Sequence, residues 1–297
     1  MMKIFQTLEA RLKAAGNGNA KRSVEELAAH VLGCKSLEIY FREMTSAQEE
    51  HLEILIDRAE LGEPIQYIIG HIDFRGLEIR CDRRALIPRA ETELLVEAVL
   101  SSLDTRHSTL AIADVCTGTG CIGLALAHEL PQAQVTAIDI SPEALALAKE
   151  NAARLGLSNR ITFVQGNLLE KMVDAASCRV DQRQARAITP AKSATFFDTI
   201  VSNPPYIFSN VWKNLEPCVR DFEPQLALDG GADGMDLIHP LVEQAARVLK
   251  PGGGLFLEIG YDQGKAVFQA LETAGFQNVR IIKDLAGLDR IVCGHRK

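Results

Sequence analysis

Apolar residues recur at helical spacing through the first part of the chain: Ile4, Leu8 and Leu12, then Val24, Leu27, Ala28, Val31 and Leu32, then Leu52, Leu55, Ile56 and Ala59. This pattern predicts short helices packed as a small bundle. Gly16-Asn17-Gly18-Asn19 separates the first two, Ser23 with Glu26 three residues on reads as a capping box opening the second, and Gly62-Glu63-Pro64 ends the last. Over residues 68–87 the period shortens to Phe74, Leu77 and Ile79 around Arg75-Gly76, which predicts a β-hairpin connector.

After Arg89 strands alternate with helices, the signature of an α/β fold with a mostly parallel sheet covered on both faces. Strands are expected at residues 110–116, 134–140, 161–165, 197–202, 255–259, 279–282 and 290–294, seven in all. Helices are expected from the 117–120 loop through Leu130, over 142–155, 237–249 and 263–274. Ser141 caps the second of these, with Pro142 at its first position and Gly156 as its stop. A turn is expected at Pro251-Gly252-Gly253-Gly254. Residues 171–195, poor in strong apolar side chains, read as a surface helix or a mobile insertion. The division is thus a helical unit over 1–67, a hairpin connector over 68–88 and an α/β domain over 89–297.

At 297 residues, 47% hydrophobic and 24% charged, the chain is long enough for two ordinary domains. No run of eighteen apolar residues occurs, and Lys3, Glu9 and Arg11 interrupt any signal-peptide core, so a cytoplasmic protein without membrane attachment is expected. Seven scattered cysteines and seven histidines show no metal-ligand spacing, so reduced thiols and no bound metal are expected. A net charge of −7 disfavours a broad nucleic-acid footprint. The local exception is Arg75, Arg80, Arg83, Arg84 and Arg89 against Asp73, Glu78 and Asp82, which reads either as a solvated hairpin or as an edge facing a partner.

Gly118-Thr119-Gly120-Cys121-Ile122-Gly123 follows a strand, and Asp139 closes the next strand. Glycines let backbone approach a ligand, and a carboxylate there can hold both hydroxyls of a ribose, so an adenosine-containing cofactor is implied. This signal fits NAD and S-adenosylmethionine alike. Asn203-Pro204-Pro205-Tyr206 separates them. It lies at the carboxyl end of a buried strand, where two prolines supply no N–H donors and hold the carbonyls outward. The Asn203 side-chain oxygen and the Pro204 carbonyl can each accept one proton of a planar NH₂ group while Tyr206 packs on its flat face. That arrangement suits methylation of a planar nitrogen.

Residues 62–70 (GEPIQYIIG), 86–95 (LIPRAETELL), 114–120 (DVCTGTG), 203–206 (NPPY) and 223–234 (EPQLALDGGADG) together resemble the bacterial peptide chain release factor N5-glutamine methyltransferases over nearly the whole chain. The resemblance implies a class I S-adenosylmethionine-dependent methyltransferase fold, Rossmann-like and seven-stranded, behind a helical substrate-recognition domain. It implies methyl transfer from S-adenosylmethionine to the glutamine amide in the Gly-Gly-Gln motif of release factors. Cys116, Thr117, Gly118, Thr119, Gly120 and Asp139 would hold the cofactor, with Asn167, Leu168 and Asn203 beside it. Asn203, Pro204, Pro205 and Tyr206 would bind the substrate amide, with Asn203, Pro204 and Tyr206 as the catalytic set.

Three positions depart from the family pattern. Cys116 stands where the family has Gly and would crowd the loop, Ala90 replaces Pro, and Asn167-Leu168 replaces an Asp-Trp pair that meets adenine. Asn167 keeps an acceptor carbonyl, and Leu168 offers apolar contact. Glu91-Thr92-Glu93 after Pro88-Arg89 looks like the release-factor branch rather than the ribosomal-protein branch. Glu258 reads as a loop-capping carboxylate or as an active-site residue, and Glu223 and Asp229 as part of a lid over the substrate or of a plain surface loop. The rivals are an adenine-N6 methyltransferase, which requires a basic groove, and an NAD-dependent oxidoreductase, which leaves Asn203 to Tyr206 without a role. A monomer with release factors as its protein partners is the expectation.

Overall fold

The amphipathic repeats at the start of the chain fold as helices whose apolar stripes meet one another. In the computed structural model, which describes residues 2–103, 109–177 and 197–297, α1 (Met2–Ala14), α2 (Ala20–Leu32), α3 (Ser46–Glu60) and α4 (Ile65–Ile69) enclose Leu8, Leu12, Leu27, Leu52 and Ile56. Arg11 bridges α1 to α3 through Glu53, Asp57 and Glu60. Ser23 does not open the second helix. Asn19 stands at its N-cap, and Ser23 is buried inside it, where its hydroxyl meets the side chain of Asn17. The capping box belongs to α3: Thr45 accepts from the Gln48 N–H, and the Gln48 side chain accepts from the Thr45 N–H. Tyr67 falls within α4.

Strands β1 (His71–Phe74) and β2 (Leu77–Arg80) form the antiparallel hairpin. Its two-residue turn needs positive φ twice, and Arg75 at 50° and Gly76 at 75° supply it. Phe74, Leu77 and Ile79 join the core of the following α/β unit. The arginines around the hairpin also face this chain. Arg75 meets Glu97 and Glu129, Arg80 and Arg84 meet Glu150, Arg89 meets Glu223, and Arg83 lies 4.6 Å over the Phe222 ring. They seal the hairpin against the rest of the molecule.

The remaining elements are α5 (Thr92–Ser102), β3 (Ala111–Val115), α6 (Cys121–Glu129), β4 (Gln134–Asp139), α7 (Pro142–Arg154), β5 (Ile161–Gln165) and α8 (Glu170–Ser177). After them come β6 (Phe197–Ser202), the short α9 (Ser209–Trp212) and α10 (Pro217–Arg220), α11 (Ile238–Val248), β7 (Leu249–Glu258), α12 (Gly264–Thr273), β8 (Phe276–Lys283) and β9 (Asp289–Arg296). The seven-stranded sheet runs in the order β5-β4-β3-β6-β7-β9-β8, with β9 antiparallel to both neighbours and the other pairs parallel. Ser141 caps α7 as expected, accepting from the Ala144 N–H with Pro142 at the first position.

One apolar layer, with Ile112, Leu124 and Val135, and a second, with Ile200, Leu241 and Leu255, cover the two faces. β7 is longer than expected. It begins at Leu249 and takes in the Pro251-Gly252-Gly253-Gly254 segment through a register shift opposite residues 197–199, rather than turning there. Of the stretch 171–195, residues up to Ser177 continue α8, and the rest, Cys178 included, lies outside the described residues.

Candidate active site

Strand register assembles the site. The chain runs β3 to β4 to β5 on one side, then crosses back to place β6 on the other side of β3, so the carboxyl ends of β3 and β6 flank the switch point where open α/β sheets bind ligands. Val115 pairs with Ile138 and with Ser202, so Cys116, Asp139 and Asn203 leave the sheet side by side. Asp139 pairs with Gln165, which brings Gly166 and Asn167 to the same edge. Ser202 pairs with Leu257, which sets Glu258 next to Asn203.

The loop between β3 and α6 is held from below by Asp114, which is fully buried. Its Oδ2 accepts from the Thr117 hydroxyl at 2.6 Å and the Gly123 N–H at 2.9 Å. Gly123 is needed there, since a Cβ would stand 2.9 Å from that same oxygen. Burial pushes the Asp114 carboxyl up to about 7. Cys116 has φ of 59°, the left-handed region that favours glycine, which is the physical reason a glycine suits that position. Leu168 shares the strain with φ of 49°.

Asp139 accepts from the Gly118 N–H at 2.9 Å through Oδ2 and from the Ser141 N–H at 3.0 Å through Oδ1. Each oxygen keeps a second lone pair for a ligand. Burial raises this carboxyl, and the backbone N–H groups oppose the rise. Asn151, fully buried on α7, donates to the carbonyls of Arg80 at 3.0 Å and Thr119 at 2.9 Å, and accepts from the Arg80 N–H at 2.9 Å. It joins the hairpin to the glycine loop.

A cleft runs along this edge. Cys116, Thr117, Gly118, Thr119, Asp139, Asn167, Leu168, Asn203 and Pro205 line it. Gly120, Pro204 and Tyr206 are not among its lining residues. Gly120, with φ of 84°, precedes α6 and packs on Leu124 and Ala148. Asn167 donates through Nδ2 to Glu170 at 2.6 Å, which leaves its carbonyl as the accepting end.

Asn203 donates through Nδ2 to the Thr92 hydroxyl at 3.3 Å. Glu258, set beside Asn203 by the strand register, has Arg290, Glu91 and Arg89 as its neighbours in charge. Glu258 is 1% exposed, and burial pushes it up to about 7. The strand register sets it at the site edge, and it is not among the residues that line the cleft. Tyr206 is half-buried, its phenol pushed up to about 12 by burial, and its carbonyl accepts from Gln263 Nε2 at 3.2 Å.

The 229–234 segment braces the Asn-Pro-Pro-Tyr corner from behind. Ile207 N–H donates to the Leu228 carbonyl, Gly230 N–H donates to the Ile207 carbonyl, and a Cβ on Gly230 would stand 2.7 Å from Tyr206 Cα. Asp229 accepts from the Ser209 hydroxyl and the Gly231 N–H. Glu223, 4% exposed, accepts from the Ile87 N–H and Arg89, tying the connector to this brace. Neither carboxylate sits on a loose surface loop. Asn151 and Gln263 escaped the sequence reading, and Thr92 and Asp114 entered it only within motifs, without a role of their own; all four are polar and buried, a status that strand and helix periodicity alone does not reveal.

A family model described as PrmC N-terminal domain matches residues 3–70, and one described as Methyltransferase domain matches residues 106–274. The release factor glutamine methyltransferase of Moorella thermoacetica is 44% identical over 243 residues, covering 82% of this chain and 78% of that protein. The release factor glutamine methyltransferase of Caulobacter vibrioides is 37% identical over 297 residues, covering 99% of this chain and 96% of its own. That of Koribacter versatilis is 38% identical over 295 residues, covering 98% and 97% respectively.

Proposed function

The chain belongs to the release factor glutamine methyltransferase family, and on that premise we propose that it methylates the side-chain amide nitrogen of the glutamine in the Gly-Gly-Gln motif of peptide chain release factors, with S-adenosylmethionine as the methyl donor. The observation that carries this reading is the adjacency of Asp139 and Asn203 on one sheet edge, fixed by the shared register of Val115. It puts a ribose-holding acid beside an amide-holding corner.

The residues fit the cofactor. Asp139 has two lone pairs directed past its backbone donors, Gly118 at φ of 55° lets the loop approach closely, and Leu168 offers an apolar wall beside the accepting Asn167. When bound, S-adenosylmethionine supplies an electrophilic methyl group on a sulfonium. Cys116, Thr117, Gly118, Thr119 and Gly120 form the loop that would hold it.

The chain's own residues then have a clear task. An amide nitrogen is a poor nucleophile because its lone pair is delocalised, so it must be held within roughly 3–3.5 Å and in line with the methyl carbon. Asn203 Oδ1 and the Pro204 carbonyl accept its two protons, and Tyr206 and Pro205 confine the plane of the amide. Both acceptors also stabilise the positive charge that develops on nitrogen as the N–C bond forms and the S–C bond breaks. The cationic product is strongly acidic and releases its proton to water, so no general base is required.

The helical unit over 1–67 would grip the release factor, the 68–88 hairpin would connect, and 89–297 would carry the chemistry. Among the described residues no helix is long and apolar enough to cross a membrane. A cytoplasmic monomer acting on a protein accords with this and with the net charge of −7. The test is mass spectrometry of a release factor incubated with the enzyme and S-adenosylmethionine. A gain of about 14 Da on the Gly-Gly-Gln peptide is expected, a CH₃ group replacing one hydrogen on nitrogen for a net gain of CH₂; an unmodified peptide would refute the substrate.

A further inference from the structure

We propose that Gln263 is a positioning residue that holds the Asn203-Pro204-Pro205-Tyr206 corner in the pose its chemistry requires. The inference rests on the glutamine-methylating reading above. Gln263 is not among the residues that line the cleft, so it acts through others.

Gln263 stands at the N-cap of α12, in the loop that follows β7, yet its side chain does not cap that helix. It turns inward and is 4% exposed. Nε2 donates to the Tyr206 carbonyl at 3.2 Å and to the Gly234 carbonyl at 3.2 Å, while Oε1 accepts from the Gly260 N–H at 2.8 Å. Both protons of the amide are thus used. The partners settle the direction of the amide, because a backbone N–H cannot face Nε2 and two carbonyls cannot face Oε1. The main chain of Gln263 is tied as well: its N–H donates to the Gly260 carbonyl and its carbonyl accepts from the Val267 N–H, both at 3.0 Å.

Three segments meet at this one amide: the corner after β6, the 229–234 brace and the loop after β7. Proline fixes φ at 204 and 205, so the direction in which the chain leaves the corner is set by ψ of Tyr206. The bond on the Tyr206 carbonyl holds that angle. Asn203 is placed by its strand and Tyr206 by Gln263, and the tetrapeptide is held at both ends. The junction is tight, since a Cβ on Gly234 would collide with both Gln263 Nε2 and the Tyr206 carbonyl oxygen. A fully paired amide of this kind stiffens what it joins, and its removal leaves two carbonyls without their donor.

The experiment compares full-length wild type with Q263E and Q263M. Steady-state turnover on a release factor, calorimetric titration with S-adenosylhomocysteine, and backbone hydrogen exchange of the 206–231 segment by mass spectrometry without substrate are measured. Q263E keeps the shape and the acceptor for Gly260 but sets an oxygen against two carbonyls; Q263M keeps the length and removes the polar end. Both should lower kcat roughly tenfold or more through misplacement of the corner, with the KM for the release factor changed less than about threefold. Affinity for S-adenosylhomocysteine should stay within about twofold of wild type, since Asp139 ends β4, which β3 and β6 separate from β7. The Ile207 N–H, bonded to the Leu228 carbonyl, and the Gly230 N–H, bonded to the Ile207 carbonyl, lie beside the junction. They should exchange roughly tenfold faster in both variants. Near-normal kcat in either variant, unchanged exchange, or kcat and cofactor affinity falling together would overturn the positioning role. A wild type that leaves the release factor unmodified would instead sink the substrate assignment, and the exchange comparison would still judge Gln263 by itself.

Discussion

The side-chain nitrogen of Asn203 stands 3.3 Å from the hydroxyl oxygen of Thr92, a residue 111 positions earlier in the chain. The contact joins the start of α5 to the corner after β6, so the tetrapeptide that reads as a self-contained motif has a distant hydroxyl among its partners. Removing Asn203 therefore tests the acceptor directly. N203A should lower kcat roughly 100-fold or more, in line with deletion of one charge-stabilising group in other enzymes. Calorimetry with S-adenosylhomocysteine should show nearly intact binding; equal loss of both would make Asn203 a structural residue.

Asp139 should behave in the opposite way. Its two oxygens are pinned by the Gly118 and Ser141 N–H groups. Loss of two charge-assisted hydrogen bonds to ribose hydroxyls should weaken S-adenosylhomocysteine by roughly 10- to 1,000-fold in D139A. Calorimetry that finds unchanged affinity would move the ribose elsewhere in the cleft.

The strain at Cys116 predicts an order between two variants. Ala keeps the Cβ at φ of 59°, whereas Gly does not object to that conformation. C116G should be more stable than C116A by about 1 kcal/mol in urea unfolding, the usual cost of a left-handed residue bearing a Cβ. The reverse order would show that the loop relaxes when the side chain changes.

The brace behind Tyr206 predicts a steric effect without loss of cofactor binding. A methyl group on Gly230 would stand 2.7 Å from Tyr206 Cα and 2.8 Å from the Pro205 carbonyl, both backbone atoms that cannot swing aside. G230A should reduce turnover on the release factor about tenfold or more through misplacement of the corner, with S-adenosylhomocysteine affinity kept. Normal steady-state rates would show that the corner tolerates displacement.

Glu258 gives a pH signature. Burial raises its carboxyl to about 7 from an ordinary 4.5, against the pull of Arg290 and Arg89 and with a push from Glu91; Tyr206 and Cys121 also stand within its field. The folded protein thus holds this proton more tightly than the unfolded chain. The associated stability is complete below about 4.5 and is lost as pH rises through about 7. E258Q has no such proton to lose. Its Tm should exceed that of wild type by more at about pH 8 than at about pH 5. A gap in Tm that does not change with pH would mean that the carboxyl titrates normally.

Much of this architecture was legible because the signals are local. Buried parallel strands read as apolar runs, the 118–123 glycines follow one of them, and Asn203-Pro204-Pro205-Tyr206 follows another. Where the reading failed, a distant partner decided. Ser23 with Glu26 has the spacing of a cap, yet Asn17 and Asn19 start the helix earlier. The hairpin arginines look available until Glu97, Glu129, Glu150 and Glu223 arrive from other elements. The two readings of Glu258 stayed open in the sequence because only strand register sets it beside Asn203.

The Asn151 side chain touches both Arg80 of the hairpin and Thr119 of the glycine loop. A molecule severed after the connector would therefore lose more than a recognition module. The α/β half would be left with an exposed gap where Phe74, Leu77 and Ile79 had lain, and with a glycine loop deprived of its anchor. Shuffling the α/β half onto a different N-terminal partner should succeed only if the hairpin travels with it.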